Sequence, residues 1–104
     1  MNNYNIDSEG FLLDFDTWDN NFRDITADTE QIILTEEHIF IIEFLRDFYK
    51  NNQKSPAIRA LVSSLKQKYG QEIGSSIHLQ MLFPSSPAVQ SAKIAGLPKP
   101  KRCI

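Results

Sequence analysis

The stretch Thr35-Glu36-Glu37-His38-Ile39-Phe40-Ile41-Ile42-Glu43-Phe44-Leu45-Arg46-Asp47-Phe48 decides the fold. Thr35 has a side chain that caps helix N-termini, and Glu36 and Glu37 place negative charge in the first turn, where the helix dipole favours it. Beyond them Ile39, Phe40, Ile41, Ile42, Phe44, Leu45 and Phe48 cover most of the circumference. A helix apolar on so many sides must be wrapped by other elements, so it is expected to be the central element of the core. The polar run at residues 50–54 ends it. His38, in the first turn, reads as a cap or a partly buried residue rather than a catalytic one.

Downstream, Ser55-Pro56 reads as a cap followed by proline at the first helical position, and Ile58, Leu61, Val62, Leu65 and Tyr69 form one stripe at helical spacing. Arg59, Ser63 and Lys66 share the opposite face, and Gly70 supplies the stop. The same grammar recurs in shorter pieces. Ser75 or Ser76 precedes Ile77, Met81 and Leu82, then Ser86-Pro87 precedes Val89, Ala92 and Ala95, with Gly96 closing the last helix.

Upstream, Tyr4-Asn5-Ile6 and Phe11-Leu12-Leu13 flank an Asp-Ser-Glu-Gly group, a pattern that predicts a small hairpin with Gly10 at positive φ. Trp18, Phe22 and Ile25 predict a first helix capped by Asp16 or Thr17, and the β-branched run Gln31-Ile32-Ile33-Leu34 a third strand. The expected fold class is α+β and mostly α: a small helical domain with a short N-terminal β-meander and an extended C-terminal arm. One domain spans 1–104, with the meander and first helix in 1–34, the helical core in 35–95 and a mobile cysteine-bearing arm in 96–104. Trp18, Phe22, Phe40, Phe44 and Phe48 follow core periodicity and read as packing rather than a base-stacking platform.

At 104 residues, 41% hydrophobic and 23% charged, the chain has material for a single core. No apolar run approaches the ~20 residues of a membrane span, and residues 1–5 lack the basic and apolar parts of a secretory signal, so a soluble cytoplasmic protein is expected. The net charge of −2 conceals a division: residues 1–49 hold twelve Asp and Glu against two Arg, residues 50–104 nine Lys and Arg against Glu72. The halves can attract each other, or the basic half can face an acidic or nucleic-acid-bearing partner; both readings stay open. With two histidines forty positions apart and one cysteine, a structural zinc site has no ligand set. Neither a metal nor a cofactor is expected.

The one cysteine, Cys103, is the second-to-last residue, on the run Gly96-Leu97-Pro98-Lys99-Pro100-Lys101-Arg102-Cys103-Ile104. Two prolines one residue apart favour an extended path, which from Leu97 could carry the thiol roughly 20 Å outward. Lys101 and Arg102 favour a thiolate and the neighbouring terminal carboxylate opposes it, leaving the net effect open. A thiol with no partner in its chain suits carriage of sulfur as a persulfide; a fortuitous free thiol is the bland alternative. From a different class, the helices around residues 51–53 could form a helix-turn-helix in which Arg59 and Lys66 reach phosphates, against the alternative of a solvated face.

The run Ala92-Lys93-Ile94-Ala95-Gly96-Leu97-Pro98-Lys99-Pro100 followed by Cys103-Ile104 closely resembles the C-terminus of the TusE/DsrC sulfur-carrier family. The similarity continues through Arg46-Asp47-Phe48-Tyr49, Ser55-Pro56-Ala57-Ile58-Arg59-Ala60-Leu61-Val62, Leu82-Phe83-Pro84 and Gly10-Phe11-Leu12, covering nearly the whole chain. The resemblance implies a persulfide carrier, a sulfurtransferase acting with partner enzymes. Members that work with sulfite reductase carry a second cysteine where this chain has Ala92, so the resemblance is to the TusE-like branch. For that branch it implies sulfur received on Cys103 from a TusBCD-type relay complex and delivered to the enzyme that thiolates the wobble uridine of tRNA, with tRNA met indirectly. A sulfite-reductase partnership or another trafficking route is the alternative. Arg59, Lys93, Lys99, Lys101 and Arg102 are assigned to partner docking, and a monomer without membrane contact is expected.

Overall fold

The computed structural model describes residues 4–100. Among them are a 3-10 turn, Phe15–Thr17, and five α-helices: α1 Asn20–Thr29, α2 Glu36–Asn52, α3 Ile58–Tyr69, α4 Ser76–Leu82 and α5 Pro87–Ile94. The expected β-meander is absent among the described residues. A single antiparallel bridge joins Ile6 to Leu12, and Gly10 does take the positive φ, 93°, that the turn requires. The turn closes without growing into strands because the Asp7 carboxylate accepts the backbone N–H groups of Glu9 and Phe11, each at 2.9 Å, bending the chain locally.

The third strand is overturned as well, and for a clear reason. Gln31 sits at φ 60°, and the N–H groups of Gln31 and Ile32 return to the carbonyls of Asp28 and Ala27. That is the bonding of a Schellman helix end, which uses the donors a strand would need. Ile32 and Leu34 still pack on the core while Ile33 is 88% exposed, so the alternation survives without a sheet.

Two caps also move. Asp19, rather than Asp16 or Thr17, caps α1 through its carboxylate to the Phe22 N–H, which leaves Trp18 outside the helix, and Ile25 is 38% exposed. Ala57, rather than Ser55, precedes α3, because Ser55 Oγ instead donates to the Pro98 carbonyl. Thr35, Ser75 and Ser86 are N-caps as expected, and Gly70 closes α3. At the start of α2 the His38 Nδ1 accepts the Thr35 N–H at 3.0 Å, so its Nε2 carries the hydrogen and donates to the Leu82 carbonyl at 2.8 Å. His38 thus ties the start of α2 to the end of α4.

The expected centre of the core is also displaced. α2 buries His38, Ile41, Ile42 and Leu45, but its other apolar side is only part-covered: Phe40 is 47% exposed and stacks on Tyr69 of α3. The hub is α5, which packs on α1, α2, α3 and α4. Its buried side chains are mostly small, Ala88, Ser91 and Ala92 with Gln90 and Ile94, and small side chains let several helix backbones approach one rod.

The two charged halves meet across this core. Glu30 pairs with Lys93 and Glu9 with Lys99, each at 2.9 Å, and Glu37 with His78 at 2.7 Å. Around Glu30, burial pushes the carboxyl pKa up, but hydrogen bonds from Lys93 and Gln90 and the Lys93 charge outweigh it, so the net direction is down. A carboxyl whose pKa is lower folded than unfolded adds stability that is present above its unfolded value, about 4.3, and is lost as pH falls through the folded one. Urea midpoints from pH 7 downward should therefore show Glu30→Gln less stable than wild type at neutrality, with the gap narrowing in acid. A gap that is constant with pH would contradict this role.

A latched helix end at the root of the cysteine tail

The candidate site is built around the C-terminus of α5. Ala95 is its C-cap and Gly96 follows at φ 77°, with the Leu97 N–H returning to the Ala92 carbonyl at 2.9 Å. This leaves the carbonyls of Ile94 and Ala95 needing donors, and side chains from elsewhere supply them. Trp18 Nε1 donates to the Ile94 carbonyl at 2.9 Å, and Arg46 Nη1 to the Ala95 carbonyl at 2.9 Å. Arg46 Nη2 donates to the Phe15 carbonyl at 3.0 Å, while its guanidinium lies 3.8 Å from the Phe15 ring centroid and 4.3 Å from that of Trp18. A planar cation with a fork of donors between two aromatic faces is a task lysine cannot reproduce. Burial lowers the Arg46 pKa, partly offset by Asp16, from a value high enough that the charge persists at neutral pH.

The chain leaving this latch is held for four more residues. Leu97 is fully buried in the core cluster, the Pro98 carbonyl accepts Ser55 Oγ, Lys99 pairs with Glu9, and Pro100 is buried. Of the arm expected from Gly96 onward, residues 97–100 therefore lie against the domain. Cys103, Lys101 and Arg102 lie outside the described residues. Lys99 and Pro100 form a ridge between two clefts: one of about 600 Å³ running to Ile58, Gln80 and Val89, the other of about 560 Å³ bounded by Phe48, Lys54 and Ala60.

The other docking candidates are placed differently. Arg59 is exposed on the first turn of α3, as is Lys66 further along. Lys93 is mostly buried against Glu30, with its ammonium 5.8 Å from the Phe11 ring centroid. Ala92 is wholly buried inside α5. Sequence reasoning read Trp18 as packing and Ser55 as a helix cap, gave Arg46 no role of its own, and connected none of the three with the tail. The available signal was Arg46 itself, a lone cation inside the most apolar run of an acidic half.

Fold and site together define a small helical domain with a latched helix end at the root of its C-terminal segment. A family model described as DsrC like protein matches residues 1–104, and the chain belongs to that family. It is 48% identical over 98 residues to the Sulfurtransferase TusE of Pectobacterium atrosepticum, covering 94% of this chain and 90% of that protein. To the Sulfurtransferase TusE of Escherichia coli K12 it is 46% identical, with the same coverage of 94% and 90%. Among solved structures, Allochromatium vinosum DsrC superposes with a TM-score of 0.89 at 42% identity, over 97% of this chain and 90% of that one. The oxidized gamma-subunit of the dissimilatory sulfite reductase (DsrC) from Archaeoglobus fulgidus gives 0.81 at 36%, over 97% and 92%. The helix-turn-helix reading falls with this membership. Structurally, the α2–α3 connection is occupied by the returning tail through the Ser55–Pro98 contact rather than presented to a groove.

Proposed function

We propose that the chain is a sulfur carrier that takes sulfane sulfur onto Cys103. The observation that carries this reading is a cysteine three residues beyond the buried Pro100 in a chain 46–49% identical to proteins named Sulfurtransferase TusE. In the loading step the Cys103 thiolate attacks the terminal sulfur of a donor persulfide, R–S–SH. The donor S–S bond breaks, RS⁻ leaves with the bonding pair, and Cys103–S–SH forms with no net oxidation. Unloading is the same exchange in reverse on the recipient. Arg46, Trp18, Leu97 and Ser55 are positioning residues: they fix the chain through Ile94, Ala95, Leu97 and Pro98, from which the cysteine-bearing segment continues.

The donor is a TusBCD-type relay complex and the recipient is the enzyme that thiolates the wobble uridine of tRNA, with Arg59, Lys93, Lys99, Lys101 and Arg102 in docking; of Arg59, Lys93 and Lys99, Lys93 is the most internal, through its ion pair with Glu30. The whole chain acts as one domain in a reducing cytoplasm, where a lone thiol stays available. No helix among the described residues is long and apolar enough to cross a membrane. A two-thiol cycle of the kind implied for sulfite-reductase partners is not open to a single chain with Ala92 and one cysteine. The test is intact-mass analysis after incubation with a cysteine desulfurase, cysteine and the relay complex. A gain of one sulfur, reversed by reductant, is expected; no gain from an active donor system would overturn the reading.

A further inference from the structure

We propose that Glu9 is a positioning residue for sulfur transfer: its carboxylate, carried on the N-terminal turn, clasps Lys99 and fixes the segment from which the chain runs on to Cys103. This rests on the carrier reading and deepens it by naming what orders the tail root. The need for a clasp comes from the backbone. Pro98 and Pro100 have no N–H, so residues 98–100 offer a single backbone donor, too few for a hydrogen-bonded ladder to pin them. Side chains hold them instead. Ser55 Oγ donates to the Pro98 carbonyl, and Lys99 Nζ donates to Glu9 Oε2 at 2.9 Å across 90 positions of sequence.

The side chains of Glu9 and Lys99 are 57% and 50% exposed, and an ordinary pair of that kind contributes little, because two long side chains must be ordered to form it. Here both backbones are set beforehand. On one side, the Asp7 carboxylate accepts the Glu9 and Phe11 N–H groups, the Gly10 N–H returns to the Asp7 carbonyl at 3.0 Å, and the Leu13 N–H to the Asn5 carbonyl at 2.8 Å. Phe11 and Leu12, each 3% exposed, bury the foot of this turn. On the other side, Leu97 is fully buried just before the segment, and the ring of Pro100 steers Lys99 toward extended backbone. Only the rotamers of two side chains remain to be ordered. The turn therefore has a use beyond its own fold, which is to stand a carboxylate over the tail root.

With its ammonium committed to Glu9, Lys99 serves docking indirectly, by holding the root rather than by touching the partner. The donors that sense this are proteins. A protein donor must seat its surface and its persulfide-bearing cysteine on the carrier together, and a fixed root removes wrong orientations in advance. A small persulfide meets the thiol from any direction and gains nothing from the clasp.

The test compares wild type with Glu9→Gln, Lys99→Met and the double variant. The first readout is the heteronuclear NOE of the residue-99 amide, which needs no donor. Each single variant should lower it, the double variant no further, and about 0.5 M NaCl should bring wild type to the same level, since salt screens a half-exposed pair. The second is the carrier concentration giving half-maximal loading from a persulfide-loaded TusBCD-type complex. It should rise about two- to fivefold in either single variant, the range of an exposed pair, and by the same factor in the double. With glutathione persulfide, which needs no docking surface, Glu9→Gln should load at the wild-type rate. An unchanged amide signal in Glu9→Gln would overturn the clasp. So would a further rise when Lys99→Met is added to Glu9→Gln, which would show that Lys99 meets the partner itself. If wild type loads from neither donor, the carrier reading fails and the role in transfer with it, while the amide signal reports the clasp separately.

Discussion

Cys103→Ser will take up no sulfur from any persulfide donor, and it will unfold at the same urea concentration as wild type. The first part follows from the chemistry: the chain has one thiol, and a serine hydroxyl has neither the nucleophilicity toward sulfur nor the ability to hold a labile S–S bond. The second follows from where the core lies. Its cluster of buried residues runs from Ala27 to Leu97, and the exchange replaces one sulfur by oxygen beyond it, so a stability change within about 0.5 kcal/mol is expected. Intact mass after donor treatment and a urea curve measure the two parts separately. Residual sulfur uptake by the variant would mean that sulfur is held elsewhere on the chain, and a markedly shifted midpoint would mean that residue 103 belongs to the fold.

Gly96→Ala should destabilise the protein by about 3 kcal/mol or more, which exceeds what backbone strain alone supplies. At φ 77° an added Cβ is strained by itself, and here it would meet Trp18 Cδ1 at 2.5 Å and Arg46 Nη1 at 3.2 Å. Neither neighbour can yield cheaply, because the indole is tied to the Ile94 carbonyl and the guanidinium to those of Ala95 and Phe15. Gly10→Ala is the matched control. Its φ is 93°, but its Cβ would meet the Cε of Lys93 at 2.8 Å, the far end of a flexible side chain. It should cost about 1–2 kcal/mol, mostly strain. Urea denaturation of both variants tests the latch directly; equal losses would show that the indole and guanidinium move aside freely. A second consequence is functional. With the latch forced open, the tail root is displaced, so Gly96→Ala should load more slowly from the relay complex while retaining its rate with glutathione persulfide.

Much of the helical layout was legible because it rests on local chemistry. Thr35, Ser75, Ser86-Pro87, Gly70 and Gly96 act within one turn of where they stand, and the stripe of Ile58, Leu61, Val62, Leu65 and Tyr69 declares its inward face by spacing alone. Strands were misread for the same reason that caps were readable. Ile6, Leu12 and residues 31–34 have strand-like side chains, but a strand exists only when a partner supplies its ladder, and here Asp7 and the end of α1 bind the backbone first.

The sequence by itself determined the starts of α2, α4 and α5, the stop of α3 at Gly70, the buried stripe of α3, and the one thiol on which transfer chemistry can occur. Only the tertiary structure decided that α5, the least conspicuous helix in the sequence, is the hub, since the value of Ala88, Ser91 and Ala92 lies in how closely they let other helices approach. It likewise decided where the tail begins. The partners that hold it, Trp18 to Ile94, Arg46 to Ala95 and Ser55 to Pro98, are separated by 76, 49 and 43 positions, and no local propensity registers a contact that exists only after the chain has folded back on itself.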